Sequence, residues 1–442
     1  MHHGEGWTAT VPDVIETVEI RPVTRAIDAL VSLPGSKSYT NRALLIGALA
    51  SGATELQHAL FSDDTACMLG ALRQLGVAAE AWPDRALIRV QGAGGVVPSR
   101  SADLFVGNAG TAARFLTAYV ALGHGQFGID GVPRMRQRPI GPLLDALRQL
   151  GVDARSVNGN DCPPVVIRSD GLRGGTVEIP GDLSSQYVSA LLMVAPCTPD
   201  GIDLAIRGEL VSKPYVDLTL SVMKAFGATA PDHDYRRIRV PGQQQYRART
   251  YQIEPDASAA SYFLAAAAVT GGKVKIEALG RSSAQGDLGL VQILERMGCQ
   301  VVWGEHDVEL RGPERLRGID VDMGNLSDVA QTLAAIAPFA GEAVRIRGVG
   351  HIRRKETDRL AAVTIELRRL GAAVVEHDDG WEIRPSALKP AVVETYDDHR
   401  MAMSFAVTGL RVPGLRIANP RCVAKTFPDF FERFARLTAP AD

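Results

Sequence analysis

Residues suited to holding anions recur along this 442-residue chain, each time just ahead of an apolar, helix-like run. In Leu33–Leu45, LPGSKSYTNRALL, Pro34 and Gly35 stop the preceding strand, because proline has no N–H and glycine allows a sharp turn. Ser36, Lys37 and Ser38 follow, and Thr40–Asn41 can cap a helix that begins near Arg42. A lysine and two hydroxyls beside free backbone N–H groups make an anion site. This is not a nucleotide P-loop, since Lys37 lies only two residues after its glycine and the GxxxxGK spacing is absent. Taken singly, the stretch is an ordinary capped turn. Its repetition is what argues for chemistry.

Gly107–Leu116 opens a helix with Asn108, Gly110 and Thr111. GVPRMRQRPIG gathers Arg134, Arg136 and Arg138, which repel one another unless solvated or bound to anions. Ser184, Ser185 and Gln186 precede an apolar helix, and Ser212, Lys213 and Tyr215 share a proline-pinned loop. Asp328 stands near a helix start. In RRKETDRLAAVTIELRRLG, the reading puts Lys355, Glu356 and Arg359 in the first turns of one helix, with Lys355 and Arg359 on one face. Cations at the positive end of a helix are unfavourable, and a bound anion would explain them. Asp398, His399 and Arg400 repeat the arrangement, and Lys425 precedes the last helix.

The elements that must position these residues follow a repeat. A helical segment ends in an apolar residue and glycine, then switches to a strand pattern, at Gly76, Gly151, Gly227, Gly298 and Gly371, about every 70 residues. Each period suits a βαβ-plus-hairpin unit. The chain ends on a helix with no strand behind it, and VETVEIRPV at the other end can supply the missing strand. The expectation is an α/β protein of six units in two lobes, residues 1–34 plus 254–442 and residues 35–253, with crossovers near Pro34–Gly35 and Glu254–Pro255. A cleft between two lobes is a natural ligand site.

Composition narrows the classes. Hydrophobic residues at 46% and charged ones at 22% describe a globular chain, and a net charge of −2 offers no basic field for nucleic acid or membrane. The five cysteines never take CxxC spacing, which suits a reducing compartment and argues against disulfides or zinc. No HExxH occurs, so no protein-held metal is expected. The N-terminus lacks a signal-peptide pattern, and Ala257–Val269 reads as a buried helix, not a membrane span. A cytoplasmic location is expected, and disorder is the expectation before Thr17.

Together LPGSKSYTNRALL, NAGTAARFL, RMRQRPIG, SSQYVSALLM, SKPYVDLT, EPDASAASYFLAAAA, KETDRL, DDHRMAM and AKTFPDF resemble, in order, the motifs of the 5-enolpyruvylshikimate-3-phosphate synthase family. The likeness runs from Val18 to Leu437. It implies a two-lobed inside-out α/β barrel, the enolpyruvyl transferase fold, acting as a monomer without a cofactor. It also implies a reaction in which phosphoenolpyruvate and shikimate 3-phosphate give 5-enolpyruvylshikimate 3-phosphate and phosphate. By motif, phosphoenolpyruvate would meet Lys37, Gly110, Arg138, Gln186, Arg359, Arg400 and Lys425. Shikimate 3-phosphate would meet Ser38, Arg42, Ser184, Ser185, Gln186, Ser212, Tyr215, Asp328 and Lys355. Asp328 is the expected base for the 5-hydroxyl, and Lys37 and Glu356 both remain candidates for the proton at C3. Asp64 and Asn108 would orient Lys37.

One position departs from the pattern: His351 stands where some members carry asparagine. Gly110 is unsubstituted, which implies sensitivity to glyphosate in the phosphoenolpyruvate pocket. A rival family, the enolpyruvyl transferases of UDP-N-acetylglucosamine, uses a reactive cysteine in a mobile loop, and GVPRMRQRPIG has none. A non-catalytic anion-binding protein on the same scaffold would lack Asp328, Lys37 or Glu356, and all three are present.

Overall fold

A computed structural model describes residues 16–229 and 234–438. The glycines of the repeat sit where the backbone leaves each helix. Gly76, Gly151, Gly227, Gly298 and Gly371 all have φ between 86° and 106°, a region costly for residues with a Cβ. After four of them comes the first strand of a hairpin, at Ala79–Trp82, Asp153–Ser156, Gln300–Trp303 and Ala373–His377. The run after Gly227 passes into residues 230–233, outside the described residues, as does the segment before Glu16.

The repeating unit is two parallel strands around a helix, followed by a hairpin. Ser101–Phe105 and His124–Asp130 pair in parallel around the helix Gly110–Val120, and Ile319–Asp322 and Val344–Arg347 do so around Ala330–Ile336. Gly175–Pro180 and Ile202–Arg207 flank Ser185–Val194 in the same way. The last unit pairs Val392–Val393 with Arg416–Ala418, and Thr17–Glu19 joins antiparallel to complete that sheet. Among the described residues there are six sheets, four of four strands and two of three.

Two sheets exchange their first strands. Asp28–Val31 runs into the helix Lys37–Leu49 but pairs with Lys273–Glu277, while Thr250–Gln252 runs into Ala257–Thr270 but pairs with Ser51–Gln57. The chain therefore crosses between lobes twice, side by side. Ser36 N–H donates to the Glu254 carbonyl at 2.7 Å and Asp256 N–H to the Pro34 carbonyl at 3.0 Å.

One hydrophobic core draws on residues between Tyr39 and Ile253, the other on Ile20–Leu33 and residues from Ala257 to Phe434. The helices lie inside and the sheets outside. Every residue of Gly110–Val120 is buried, whereas Ile202–Arg207 alternates between buried and partly exposed positions, as a sheet with one wet face must. Helices enclosed in this way can bring their N-termini together at the cleft. No helix among the described residues is long and apolar enough to cross a membrane.

Two helix starts differ from the sequence reading. The first helix begins at Lys37, not near Arg42, because its cap comes from the other crossover: Lys37 N–H donates to the Asp256 carboxylate at 3.0 Å. Thr40 instead turns its hydroxyl back to the Ser36 carbonyl at 2.8 Å. The second begins at Arg359, capped by Asp358, so Lys355 and Glu356 lie in the turn before it and share no helical face with Arg359. Asp358 wins the cap because its carboxylate accepts from Ala361 N–H at 3.0 Å.

Candidate active site

Helix N-termini from both lobes meet around a cleft cavity lined by Lys37, Ser38, Arg42, Thr111, Ser184, Ser185, Gln186, Ser212, Tyr215, Asp328, His351 and Lys355. Backbone N–H groups and helix dipoles aimed at one space favour negative charge there.

Asp328 stands at the centre. Its carboxylate is 2.9 Å from Arg400, 3.3 Å from Arg359 and 3.4 Å from Lys355, with 16% of the side chain exposed. Burial pushes its pKa up, but Arg400, Lys355, Arg359 and Lys37 outweigh burial and hold it well below the usual carboxylate range. A charged oxygen thus faces the cavity at neutral pH. The Tyr215 hydroxyl lies 3.2 Å from the same carboxylate.

Arg359 is fixed on three sides. It reaches Asp398 at 2.8 Å, Glu356 at 2.8 Å and Asp328 at 3.3 Å. Asp398 is fully buried and also caps its own helix, accepting from Arg400 N–H at 2.9 Å. Glu356 is buried between Arg359 and Arg138, the latter at 3.5 Å. Burial raises its pKa, yet Arg138, Arg359, Lys425 and His399 bring it well below the ordinary value, so Glu356 is a carboxylate. Burial lowers the pKa of Lys355, and Asp328 opposes that shift.

A second cluster closes the other end. Asp64 pairs with Lys37 at 3.3 Å and with Lys425 at 2.5 Å. The Asn108 carbonyl accepts from Lys425 at 2.8 Å and from Arg138 at 2.9 Å. Asp64 therefore orients Lys37 as expected, while Asn108 serves Lys425 and Arg138 instead. Arg138 lies against Gly110, where an added Cβ would sit 2.4 Å from a guanidinium nitrogen.

The remaining expected residues are neutral or already engaged. Ser184 caps its helix by accepting from Gln186 N–H at 3.2 Å, and the Gln186 amide reaches Thr111 at 3.3 Å. Ser185 is buried in the first turn of the same helix, beside Ser184. Ser38 gives its carbonyl to Arg42. Ser212 holds a left-handed φ of 55° and lies 3.3 Å from Ser327. Arg42 gives its N–H groups to Thr219, Ser38, Ser189 and Tyr215, and burial lowers its pKa to about 10. Of the three neighbouring arginines, only Arg138 enters the site. Arg136 pairs with Asp130 at the surface, and Arg134 bridges the lobes by donating to the Lys355 carbonyl at 2.8 Å.

His351 also lines the cavity. Burial first, then the charge on Lys355, lowers its pKa to about 4, and its Nε2 is buried without a hydrogen-bond partner among the described residues. The ring is neutral. Sequence reasoning gave no role to Ser258 or Asp287, which sit behind Asp328 and Tyr215. The only available signal was Asp287 itself, a carboxylate in SSAQGDLGL ahead of an apolar run.

A cation-lined cleft between two inside-out lobes is the architecture of the enolpyruvyl transferases. The transferase NikO from Streptomyces tendae superposes with a TM-score of 0.77 at 19% identity, over 96% of this chain and 98% of that one. Sequence narrows the class to one family. The family model for EPSP synthase (3-phosphoshikimate 1-carboxyvinyltransferase) matches residues 22–434, and the chain belongs to that family. A 3-phosphoshikimate 1-carboxyvinyltransferase from Trichormus variabilis is 50% identical over 423 residues, covering 96% of this chain and 99% of the relative. One from Shewanella denitrificans is 46% identical over 430 residues, covering 97% and 100%. The EPSP synthase of Acinetobacter baumannii superposes with a TM-score of 0.79 at 26% identity, over 95% of this chain and 97% of that one.

Proposed function

We infer that this chain transfers the enolpyruvyl group of phosphoenolpyruvate to the 5-hydroxyl of shikimate 3-phosphate and releases phosphate, a step of the shikimate pathway to aromatic amino acids. The observation that carries the reading is Asp328, a carboxylate kept charged by Arg400, Arg359 and Lys355 and facing an anion-ready cleft. The two substrates carry about five or six negative charges near neutral pH, and matched cations must hold them side by side.

In this reading Lys37, Gly110, Arg138, Gln186, Arg359, Arg400 and Lys425 surround phosphoenolpyruvate. Ser38, Arg42, Ser184, Ser185, Gln186, Ser212, Tyr215, Asp328 and Lys355 surround shikimate 3-phosphate. Arginines suit carboxylate and phosphate oxygens through paired N–H bonds. The 5-hydroxyl loses its proton to Asp328 while its oxygen bonds to C2 of phosphoenolpyruvate, and C3 gains a proton. Phosphate then leaves as C3 gives a proton back. Lys37 has N–H protons to give, and Glu356 has a carboxylate to receive one, which divides the C3 proton between them by direction. The reaction exchanges no electrons, and the reading includes no cofactor. We take the enzyme to be a cytoplasmic monomer.

The test is phosphate release from phosphoenolpyruvate with shikimate 3-phosphate, or with UDP-N-acetylglucosamine, as acceptor. Release only with shikimate 3-phosphate, lost in Asp328→Ala, is the expected result. Release with neither acceptor, or only with the nucleotide sugar, overturns it.

A further inference from the structure

Asp287, in the short helical turn Gly286–Leu288, is a buried carboxylate that does not line the substrate cavity. Its Oδ2 accepts from the Tyr215 hydroxyl at 3.1 Å and from the Ser258 hydroxyl, while its Oδ1 is buried with no hydrogen-bond partner among the described residues. The Tyr215 hydroxyl lies 3.2 Å from Oδ2 of Asp328. A phenol has one proton, so Tyr215 can donate to only one of these two carboxylates at a time. Arg400 ties the assembly from the far side, reaching Ser258 at 3.3 Å and Asp328 at 2.9 Å.

The two carboxylates differ in surroundings. Asp328 meets three cations directly. Asp287 faces Tyr215 from the helix Pro214–Ala225, Asp256 and Ser258 from the start of Ala257–Thr270, Asp328 from the turn before Ala330, and Arg400 from His399–Gly409. Burial first, and then the charge on Asp328, moves its pKa up to about 6.

We propose that Asp287 is the proton acceptor behind Asp328, joined to it by the Tyr215 hydroxyl, and that this relay carries the substrate hydroxyl proton out of the cleft. The proposal rests on Asp328 being the base. The 5-hydroxyl O–H bond breaks as its proton moves to Asp328. Protonated Asp328 then donates to the Tyr215 oxygen while the original phenol proton passes to Oδ2 of Asp287. Tyr215 begins and ends neutral, so no phenolate forms. Asp328 is again a carboxylate among its cations, and Asp287 holds the proton as the neutral acid that burial favours. A small side cavity lined by Ser36, Ser38, Pro214, Tyr215 and Gln285 adjoins Asp287. Asp287 meets substrate only through Tyr215 and Asp328, so it is a positioning residue for the proton. A group that titrates near the working pH both accepts and releases well.

The experiment is the pH profile of kcat for the full chain and for Asp287→Asn, with both substrates saturating. Substrate phosphates titrate in the same range, but equally for both enzymes, so the difference between profiles reports the protein. The expected result is a kcat lower by about 10-fold, less than the loss of a direct acid or base, with both KM values within about twofold. The acid limb of the variant should also lose one proton relative to the parent. Tyr215→Phe should lose the same limb, and the double variant should be no slower than the worse single one. An unchanged acid limb in folded Asp287→Asn, or additive losses in the double variant, overturns the relay. Should Asp287→Asn fail to fold, Tyr215→Phe decides alone, and a retained limb overturns the proposal. Asp328→Asn separates the two readings. Near-normal kcat there sinks the base itself, whereas an inactive Asp328→Asn beside an unaltered Asp287→Asn profile sinks only the relay.

Discussion

The two walls of the cleft are held by different physics. On the first lobe's wall, beside Lys37 and Arg42, stand Ser184, Ser185, Gln186 and Ser212, neutral groups set by caps and turns a few residues long. The second lobe's wall presents Asp328, Lys355, Glu356, Arg359 and Arg400, set by ion pairs such as Arg359–Asp398, between residues far apart in sequence. Losing a hydroxyl from the first wall removes one modest hydrogen bond. Losing one charge from the second leaves its partners buried and unmatched. The neutral groups can therefore be edited, and the buried ion pairs can only be kept whole.

Asp398→Ala should break that contrast most severely. It strips fully buried Arg359 of its 2.8 Å partner and the helix His399–Gly409 of its cap. Removing one member of a buried pair costs about 3–5 kcal/mol, and a loss of unfolding free energy of that size is expected from urea denaturation. A loss below about 1 kcal/mol would mean that solvent reaches Arg359 and that the ionic wall is softer than argued.

Gly110→Ala tests the place where the walls meet, since Arg138 touches both Asn108 and Glu356. The new methyl would sit 2.4 Å from the guanidinium and force it aside. The expected outcome is a KM for phosphoenolpyruvate raised by about 10-fold, near 1.4 kcal/mol, with that for shikimate 3-phosphate unchanged. Glyphosate should inhibit the parent by competing with phosphoenolpyruvate and should inhibit the variant less. Full parent activity at inhibitor levels far above that KM would exclude a shared pocket.

Ser184→Ala probes the neutral wall alone. The cap to Gln186 N–H is lost, worth about 1 kcal/mol, and kcat should fall far less than for loss of any of the paired charges Asp328, Glu356, Arg359 or Arg400. A stability loss as large as that of Asp398→Ala would erase the distinction between the walls.

The same contrast decides what could be read in the sequence. Capping residues such as Ser184 and left-handed glycines such as Gly371 act over a handful of positions, so their patterns are local and visible. The helix at Lys37 begins earlier than its own residues suggest because Asp256, from the other crossover, supplies the cap. Arg42 lines the cavity and also gives N–H groups to Thr219, Ser189 and Tyr215, contacts between segments far apart in the chain that its own motif does not show. The motifs placed Asp328, Lys355, Arg359 and Arg400 near helix starts. That Arg359 is shared among Asp328, Glu356 and Asp398 is a property of units meeting, and no single unit contains it.

His351→Asn should have the smallest effect and bears on the one position that departs from the family pattern. His351 belongs to the ionic wall by chain, yet its ring is neutral, because burial and Lys355 lower its pKa from 6.5 to about 4. Between those two values the unfolded chain binds a proton that the folded chain refuses. Stability contributed by the neutral ring is therefore present above pH 6.5, is lost progressively as pH falls towards 4, and changes no further below that. Asparagine does not titrate, so the variant should lose less of its urea midpoint than the parent between about pH 7 and pH 5, with little difference at neutral pH. Equal losses in the two proteins would mean that His351 is protonated in the fold, and that the ionic wall has room for one more positive charge than its geometry indicates.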